Sequence, residues 1–112
     1  MREGIELMIQ QIVKRDGRSA PFEIDKIANA IFRAAQASGG QDYEMARGLA
    51  EQVENTLEKA VGEQIPTVEQ IQDTVEKVLI ESGHARTAKK YILYRNERTR
   101  VREMNTRLMK VY

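Results

Sequence analysis

A chain of 112 residues can bury one hydrophobic core but not two of ordinary domain size. Its 18 basic and 17 acidic residues leave a net charge of +1, which gives no general attraction to nucleic acid or to an anionic membrane. The absence of cysteine excludes disulfides, thiolate metal sites and thiol catalysis. Because no apolar run approaches the ~20 residues that span a bilayer, and the N-terminus is too polar for a signal peptide, we expect a soluble cytoplasmic protein.

A short β-hairpin is the first predicted element, with its turn at Asp16 and Gly17. This dipeptide favours a two-residue type I′ turn, which needs positive φ at both central positions. The flanking strands are predicted at residues 10–15 and 18–22, with Pro21 at an edge or strand end because proline has no amide to donate. A two-stranded hairpin is marginally stable alone, so it must pack on another surface.

The hairpin would bring three cations together, because Lys14 and Arg15 precede the turn and Arg18 follows it. Arginine offers a bidentate fork and lysine a compact point charge, and both side chains bind phosphate. Basic residues beside a turn are more often solvated surface, however. The residues alone leave both interpretations open.

Four helices are predicted to supply the surface on which the hairpin packs. Apolar residues at three- and four-residue spacing place them at about 24–37, 42–62, 67–82 and 84–112. Thr67 is the predicted N-cap of the third helix, and Gln70 completes a capping box. Gly83 is predicted just past its end, where positive φ lets the last carbonyls be satisfied. The predicted fold is α+β and mostly α, with an N-terminal two-stranded hairpin covering a four-helix bundle.

The fourth helix is predicted to continue past the compact core. Its predicted core-facing residues are Ala88, Tyr91, Ile92 and Tyr94. Further along, the apolar stripe thins to two residues per heptad, a seam that the compact domain does not need to cover. The residues of this seam are Val101, Met104, Leu108 and Val111. We expect the seam to contact a partner.

The same helix carries the densest basic segment of the chain. Its arginines are Arg95, Arg98, Arg100 and Arg102. Three interpretations stand: a phosphate contact from Arg95 or Arg98, docking onto an acidic partner, or a solvated face, which is the commonest outcome for such runs.

Catalytic chemistry has little support among the residues. His84 is the only histidine, and its position beside Gly83 marks a helix boundary. The serines lie beside turn or glycine signals, with no base identifiable from sequence. No Gly-rich Walker loop or dinucleotide fingerprint is present. We therefore predict neither a catalytic residue nor a metal ligand in this chain.

Several short stretches together resemble a known domain. They are Val13-Lys14-Arg15-Asp16-Gly17, Phe22, Asp25-Lys26-Ile27, Pro66-Thr67, Ile71-Gln72-Asp73 and Tyr91-Ile92-Leu93-Tyr94-Arg95. The set resembles the ATP-cone, the allosteric nucleotide-binding domain of ribonucleotide reductases, over residues 12–100. Residues 98–112 look like the join between the cone and the catalytic barrel in the anaerobic (class III) ribonucleoside-triphosphate reductases.

The resemblance implies a domain at 10–100, between a loose segment at 1–9 and a continuation of the fourth helix at 101–112 towards a catalytic domain. It implies binding of ATP or dATP, with Mg²⁺ accompanying the nucleotide, to control the overall activity of such a reductase in deoxyribonucleotide synthesis. The implied protein partners are the catalytic domain and further copies of the chain in a nucleotide-dependent homo-oligomer. Neither nucleic acid nor a membrane is implied as a partner.

In ATP-cones the hairpin acts as a lid, and the nucleotide lies between it and the helices. The resemblance places Lys14 and Arg15 at the lysine and arginine that meet the triphosphate. Lys26 would add a cation in the first turn of a helix, where amide groups also favour anions. Arg98 is the one cation carried over from the fourth helix. The residues alone are also explained by a solvated lysine one position before the buried Ile27, and it is the resemblance that favours the phosphate role for Lys26.

The resemblance also implies which residues meet the base. Val13, Ile71 and Gln72 would wall or hydrogen-bond it, and Thr67 lies in a loop that family members use near the nucleotide. Periodicity alone places Ile71 in the core, and capping alone explains Thr67.

Two other functions compete with this interpretation. ATP-cones also occur in a bacterial transcriptional repressor of reductase genes, where a four-cysteine zinc ribbon precedes the cone; the absence of cysteine argues against it. A helical docking module without a nucleotide pocket would use its basic final helix to bind a protein or nucleic acid, and any binding to nucleic acid would fall steeply with salt.

The sequence departs from the family pattern at Ala20 and Pro21, where some ATP-cones have polar lid residues. This departure affects the expected discrimination among nucleotides.

Overall fold

The computed structural model describes the backbone of residues 9–110 and the side chains of residues 9–105. Its elements are β1 (Gln11–Val13), β2 (Ser19–Pro21), α1 (Ile24–Ala37), α2 (Tyr43–Val61), α3 (Val68–Glu81) and α4 (Ala85–Lys110). The predicted α+β fold, a two-stranded hairpin with four helices, is confirmed over this range. The predicted loose segment 1–9 lies outside it except for Ile9, and so do the side chain of Leu108 and all of Val111. None of the described helices has an apolar stretch long enough to cross a membrane.

The hairpin turn differs from the predicted type I′ turn, and that prediction is wrong. Gly17 has a φ of 89°, whereas no non-glycine residue between 9 and 110 has positive φ, so Asp16 does not enter the left-handed region. The Gly17 amide donates to the Lys14 carbonyl at 2.9 Å, and the Lys14 amide donates to the Arg18 carbonyl at 2.8 Å. This is the pattern of a longer loop closed by a glycine bulge, which needs only one residue with positive φ.

The helix boundaries follow local signals that the sequence carries. Asp42 caps α2 by accepting the Met45 amide at 3.1 Å. At α3 the Thr67 hydroxyl accepts the Gln70 amide at 3.1 Å, and the Gln70 side chain accepts the Thr67 amide at 2.9 Å. This reciprocal pair is the predicted capping box. Gly83 follows α3 with a φ of 85°, as predicted.

The core lies where the four helices meet. Helix α1 packs against α2 and α4, and α3 packs against both α2 and α4. The largest fully buried apolar side chains are Ile31, Leu57, Leu79, Val53 and Val75. Ile12 of β1 and Phe22 after β2 pack against this core, so the hairpin covers part of the bundle.

Two predicted core residues, Ile92 and Tyr94, lie outside the core. Ile92 is about 100° around α4 from Tyr91; it is only partly buried and does not belong to the core cluster. Tyr91 is 6% exposed and closes the core as predicted, but Tyr94 is 43% exposed. Residues three apart on a helix differ by about 60° in direction, and this rotation carries Tyr94 off the narrow buried face of α4. The Tyr94 side chain instead lines a cleft beside the hairpin.

Main-chain contacts hold the hairpin to the start of α3. The Val13 amide donates to the Pro66 carbonyl at 2.9 Å, and Val13 forms an isolated parallel bridge with Thr67. The cap of α3 and the attachment of the hairpin therefore share one short loop.

Loss of this cap is expected to cost stability. Thr67→Ala removes the acceptor for the Gln70 amide and should lower the free energy of unfolding by about 1 kcal/mol, measured by urea denaturation without ligand. Thr67→Ser keeps the hydroxyl and should retain most of the stability. Equal losses in both variants would contradict a capping role and point to the threonine methyl group.

Glu54 of α2 is an acidic side chain that is almost completely buried. It is 6% exposed, and it borders a groove lined by Phe22 and Ile24. Burial raises the pKa of its carboxyl above the ordinary value, repulsion from Glu58 and Glu51 raises it further, and Arg47 acts in the opposite direction. A charged Glu54 therefore opposes folding.

Glu54→Gln is expected to stabilise the chain at pH 7. The pKa of Glu54 in the folded chain lies above the ordinary value of 4.5. Between the ordinary pKa and the folded-state pKa, the folded chain therefore binds more protons than the unfolded chain. The stability of the wild type falls as the pH rises through this interval. The advantage of the variant should be full at pH 7 and should disappear as the pH falls below about 4.5. Urea denaturation across this range measures it, and an advantage independent of pH would contradict the assignment.

Candidate functional site

A cleft lies between the hairpin loop, the first half of α3 and the middle of α4. Its volume is about 110 Å³. The residues that line it are Arg15, Gln72, Tyr91, Tyr94, Arg95, Arg98, Thr99 and Arg102. Those from α4 recur at spacings of three and four, so they share one face of the helix. Four guanidinium groups from two separate elements thus surround one small space.

Arg15 bridges the hairpin to α3 across this cleft. Its Nη1 donates to Glu69 Oε2 at 2.6 Å, and its Nη2 donates to Gln72 Oε1 at 3.4 Å. The side chains of Arg15 and Glu69 are 33% and 47% exposed, so solvent and salt reach the pair. The fork of Arg15 is occupied by protein side chains in this arrangement.

Arg95 is held more deeply on the α4 side. Its Nη1 donates to Asp73 Oδ1 at 3.0 Å and to Glu76 Oε2 at 2.5 Å. Burial alone would lower the pKa of Arg95, but the hydrogen bonds to Glu76 and Asp73 outweigh it and raise the pKa above the ordinary value. Beside it, burial raises the pKa of Tyr91 to about 12, with Arg95 opposing. Arg95 therefore stays charged and Tyr91 neutral near pH 7.

The structure brings three predicted site residues together: Arg15, Gln72 and Arg98 line the same cleft. Two more, Val13 and Thr67, bridge each other in the neighbouring loop. The role of all five in ligand binding stays a prediction.

The remaining predicted site residues occupy different environments. Lys14 is exposed on the hairpin. The Lys26 side chain is 78% exposed, and its Nζ lies 3.8 Å from Glu23 Oε1. Ile71 is 8% exposed and belongs to the core, which agrees with its periodicity, so it would meet a base only through the edge of its side chain.

The third hairpin cation faces its own turn. Arg18 donates to Asp16 from Nε at 2.9 Å and from its amide at 3.0 Å. These hydrogen bonds, the backbone one first, lower the pKa of Asp16. The predicted cluster of three cations is therefore reduced by this local pair, and Arg18 does not line the cleft.

Sequence reasoning missed the carboxylates of α3. Glu69, Asp73 and Glu76 lie at i, i+4 and i+7, a spacing that places them on one helical face. They hold Arg15 from the hairpin and Arg95 from α4. The spacing of the carboxylates is visible in the sequence. Their partners are distant in sequence, however: Arg15 is 54 positions from Glu69, and Arg95 is at least 19 positions from its carboxylates. Only the fold reveals the pairing.

A larger cavity, of about 920 Å³, lies on another part of the described surface, between the start of the hairpin and α2. None of the eight predicted site residues lines it. Its charged side chains are Glu58, Lys59 and Glu63. Two carboxylates against one lysine disfavour a triphosphate, so its size does not make it the better nucleotide site.

Comparison with known proteins bears on the identity of the domain. The ATP cone domain pattern matches residues 10–100. This chain belongs to the ATP-cone family. One relative is the vitamin B12-dependent ribonucleoside-diphosphate reductase of Thermoplasma acidophilum, to which the ATP-cone chain is 43% identical over 101 residues. The aligned part covers 86% of this chain and 13% of that protein.

Two other types of reductase match the ATP-cone chain as well. Identity to the anaerobic ribonucleoside-triphosphate reductase of Haemophilus influenzae is 36% over 99 residues, covering 88% of this chain and 14% of that protein. Identity to the ribonucleoside-diphosphate reductase subunit alpha of Chlamydia pneumoniae is 37% over 106 residues, covering 88% of this chain and 10% of that protein. The chain thus spans a small fraction of these relatives, and they do not single out one reductase type.

Proposed function

We propose that this ATP-cone binds ATP or dATP and thereby controls the activity of a ribonucleotide reductase of which it forms a part. The observation that carries the proposal is the family match over residues 10–100. The arginine-lined cleft between hairpin, α3 and α4 supports it, because a triphosphate carries several negative charges that guanidinium forks bind in bidentate fashion.

The phosphates would bind at the hairpin end of the site. Arg15 from the hairpin and Arg98 from α4 both line the cleft. Lys14 and Lys26 are exposed, and we assign them to the phosphates as well. Lys26 also lies in the first turn of α1, whose free amides favour anions. Mg²⁺ would enter with the nucleotide and neutralise part of its charge.

The base would lie along the loop that joins the hairpin to α3. Val13 and Thr67 meet there, and Gln72 can offer an amide once Arg15 turns away from it. The edge of Ile71 would supply apolar surface.

A control function requires that ATP and dATP favour different states of the protein. The two ligands differ by one 2′-hydroxyl, whose hydrogen bond contributes about 1 kcal/mol directly. A larger response needs a bistable contact, and the projecting part of α4 supplies a surface for it. Val101 and Met104 there are 44% and 49% exposed, and we assign them to contacts with the catalytic domain or with another copy of the chain in a nucleotide-dependent homo-oligomer.

The finer assignment is to a cytoplasmic anaerobic ribonucleoside-triphosphate reductase. Its support is the resemblance of residues 98–112 to the join between cone and barrel in those enzymes, together with relatives of that type at 33–36% identity. Transfer of the cone onto the catalytic chains of an anaerobic and of a vitamin B12-dependent reductase would test it. The expected result is that dATP inhibits only the anaerobic chimera.

Nucleotide binding is expected to raise the melting temperature of the chain. A ligand at a hundredfold its Kd adds about 2.7 kcal/mol to the free energy of unfolding, which for a domain of this size shifts Tm by roughly 10 °C or more. Thermal melts with ATP, dATP and inorganic tripolyphosphate, all with Mg²⁺, measure this effect. Equal shifts from tripolyphosphate would contradict recognition of a nucleoside, and no shift from any of them would contradict the proposal.

A further inference from the structure

The ion pair between Arg15 and Glu69 closes the cleft against the ligand that the proposed function assigns to it. The guanidinium donates to Glu69 at 2.6 Å and to Gln72 at 3.4 Å, so both arms of its fork are committed to α3. The cleft that remains has a volume of about 110 Å³, whereas ordinary ligand pockets begin at roughly 300 Å³. A triphosphate therefore cannot take the fork while Glu69 holds it.

We propose that Glu69 is a built-in competitor for the phosphates of the nucleotide. Its carboxylate holds Arg15 through the 2.6 Å ion pair and releases it when a nucleotide binds. The proposal rests on the proposed function, because it takes Arg15 as a phosphate ligand. Carboxylate and phosphate oxygens present equivalent acceptors to a guanidinium fork, so the two compete for the same donors. Glu69 thereby sets the concentration range in which the site responds.

Comparison with Arg95, the second arginine that is held by carboxylates of α3, shows why the ion pair between Arg15 and Glu69 is the exchangeable one. Arg95 is 19% exposed and is held by two carboxylates, Asp73 and Glu76. Arg15 has one carboxylate partner in the described structure, and both side chains of that pair are about a third to a half exposed. An exposed single ion pair contributes little and is easily exchanged. The pair of Arg95 with Glu76, at 19% and 22% exposed, is screened less by solvent and is therefore harder to exchange.

The backbone next to Arg15 does not have to move for this exchange. The Val13 amide is bonded to the Pro66 carbonyl at 2.9 Å and keeps β1 beside the start of α3. Rotation of the Arg15 side chain alone would free its fork and widen the cleft, while Glu69 would turn towards solvent. The response is therefore a local change of partner rather than detachment of the hairpin.

The test is isothermal titration of the full 112-residue chain with Mg²⁺-ATP. Glu69→Gln keeps the shape of the side chain and removes its charge, and it should bind ATP roughly two- to ten-fold more tightly than the wild type. The matched control is Glu81→Gln, an exposed carboxylate at the other end of α3. It lies about 18 Å further along the helix, beyond the screening length of ~8 Å, and should leave the affinity unchanged.

A double-mutant cycle with Arg15→Ala separates competition from a merely structural role. If Glu69 acts by holding Arg15, most of the gain from Glu69→Gln should vanish once Arg15 is alanine. A gain of the same size in both backgrounds would overturn the proposal. Equal or weaker ATP binding by Glu69→Gln alone, with binding retained, would overturn it and leave the proposed function standing. Absence of binding in every variant, all folded by circular dichroism, would overturn both.

Discussion

Replacing Lys14 and Lys26 together by alanine is expected to weaken ATP and dATP binding by a hundredfold or more. A hydrogen bond to a charged group contributes about 1.5–3 kcal/mol, and each 1.4 kcal/mol is a factor of ten in Kd. Both lysines are exposed, and Lys26 has only a long contact of 3.8 Å to Glu23. The double variant should therefore fold with nearly wild-type stability while losing affinity, and titration with each nucleotide measures the loss.

The control for this variant is a second pair of lysines. Lys89→Ala with Lys90→Ala removes the same charge from exposed positions on α4, beside a groove formed with the C-terminal end of α1. Lys26 lies at the opposite end of α1, so this control should bind nucleotide like the wild type. A similar loss in both double variants would reduce the effect to net charge and would contradict specific contacts from Lys14 and Lys26.

Replacing Ile31 by alanine is expected to have the largest effect on stability. Ile31 is fully buried in α1, where the helix meets both α2 and α4. Truncation of a buried isoleucine costs 2–5 kcal/mol, against a total of about 5–15 kcal/mol for a typical domain. Urea denaturation should show a clearly lower midpoint with an unchanged slope.

Ile80→Ala is the matched control for Ile31, since the residue type and the helical setting are the same. Ile80 lies on α3 and is 55% exposed. Its truncation should change the free energy of unfolding by no more than about 0.5 kcal/mol. Similar destabilisation in both variants would contradict the placement of the core between α1, α2 and α4.

The helices could be predicted because their signals are local. Apolar spacing marks the buried faces, and Asp42, Thr67 and Gly83 mark the ends through contacts within a few residues. The turn at Gly17 shows the limit of such signals. Asp-Gly fits both the type I′ turn and the longer loop with a bulge, and the choice depends on strand pairing that the dipeptide does not contain.

The candidate site was less predictable because its geometry depends on contacts between distant elements. Resemblance pointed to Arg15, Gln72 and Arg98, and the fold places all three around one cleft. Nothing in the sequence indicated the role of Glu69, because the helix dipole alone explains an acidic residue in the first turn of a helix. Tyr94 likewise follows the core spacing and yet lines the cleft, since α4 buries only a narrow face.

The proposed function depends on nucleotide binding between the hairpin and the helices of this ATP-cone. Isothermal titration of the full chain with Mg²⁺-ATP and then Mg²⁺-dATP tests it most directly. We expect saturable heat from both nucleotides and mutual competition between them, with the signal lost in the double variant in which Lys14 and Lys26 are alanine. No heat and no competition at millimolar nucleotide would contradict it and would leave a docking domain without a nucleotide pocket.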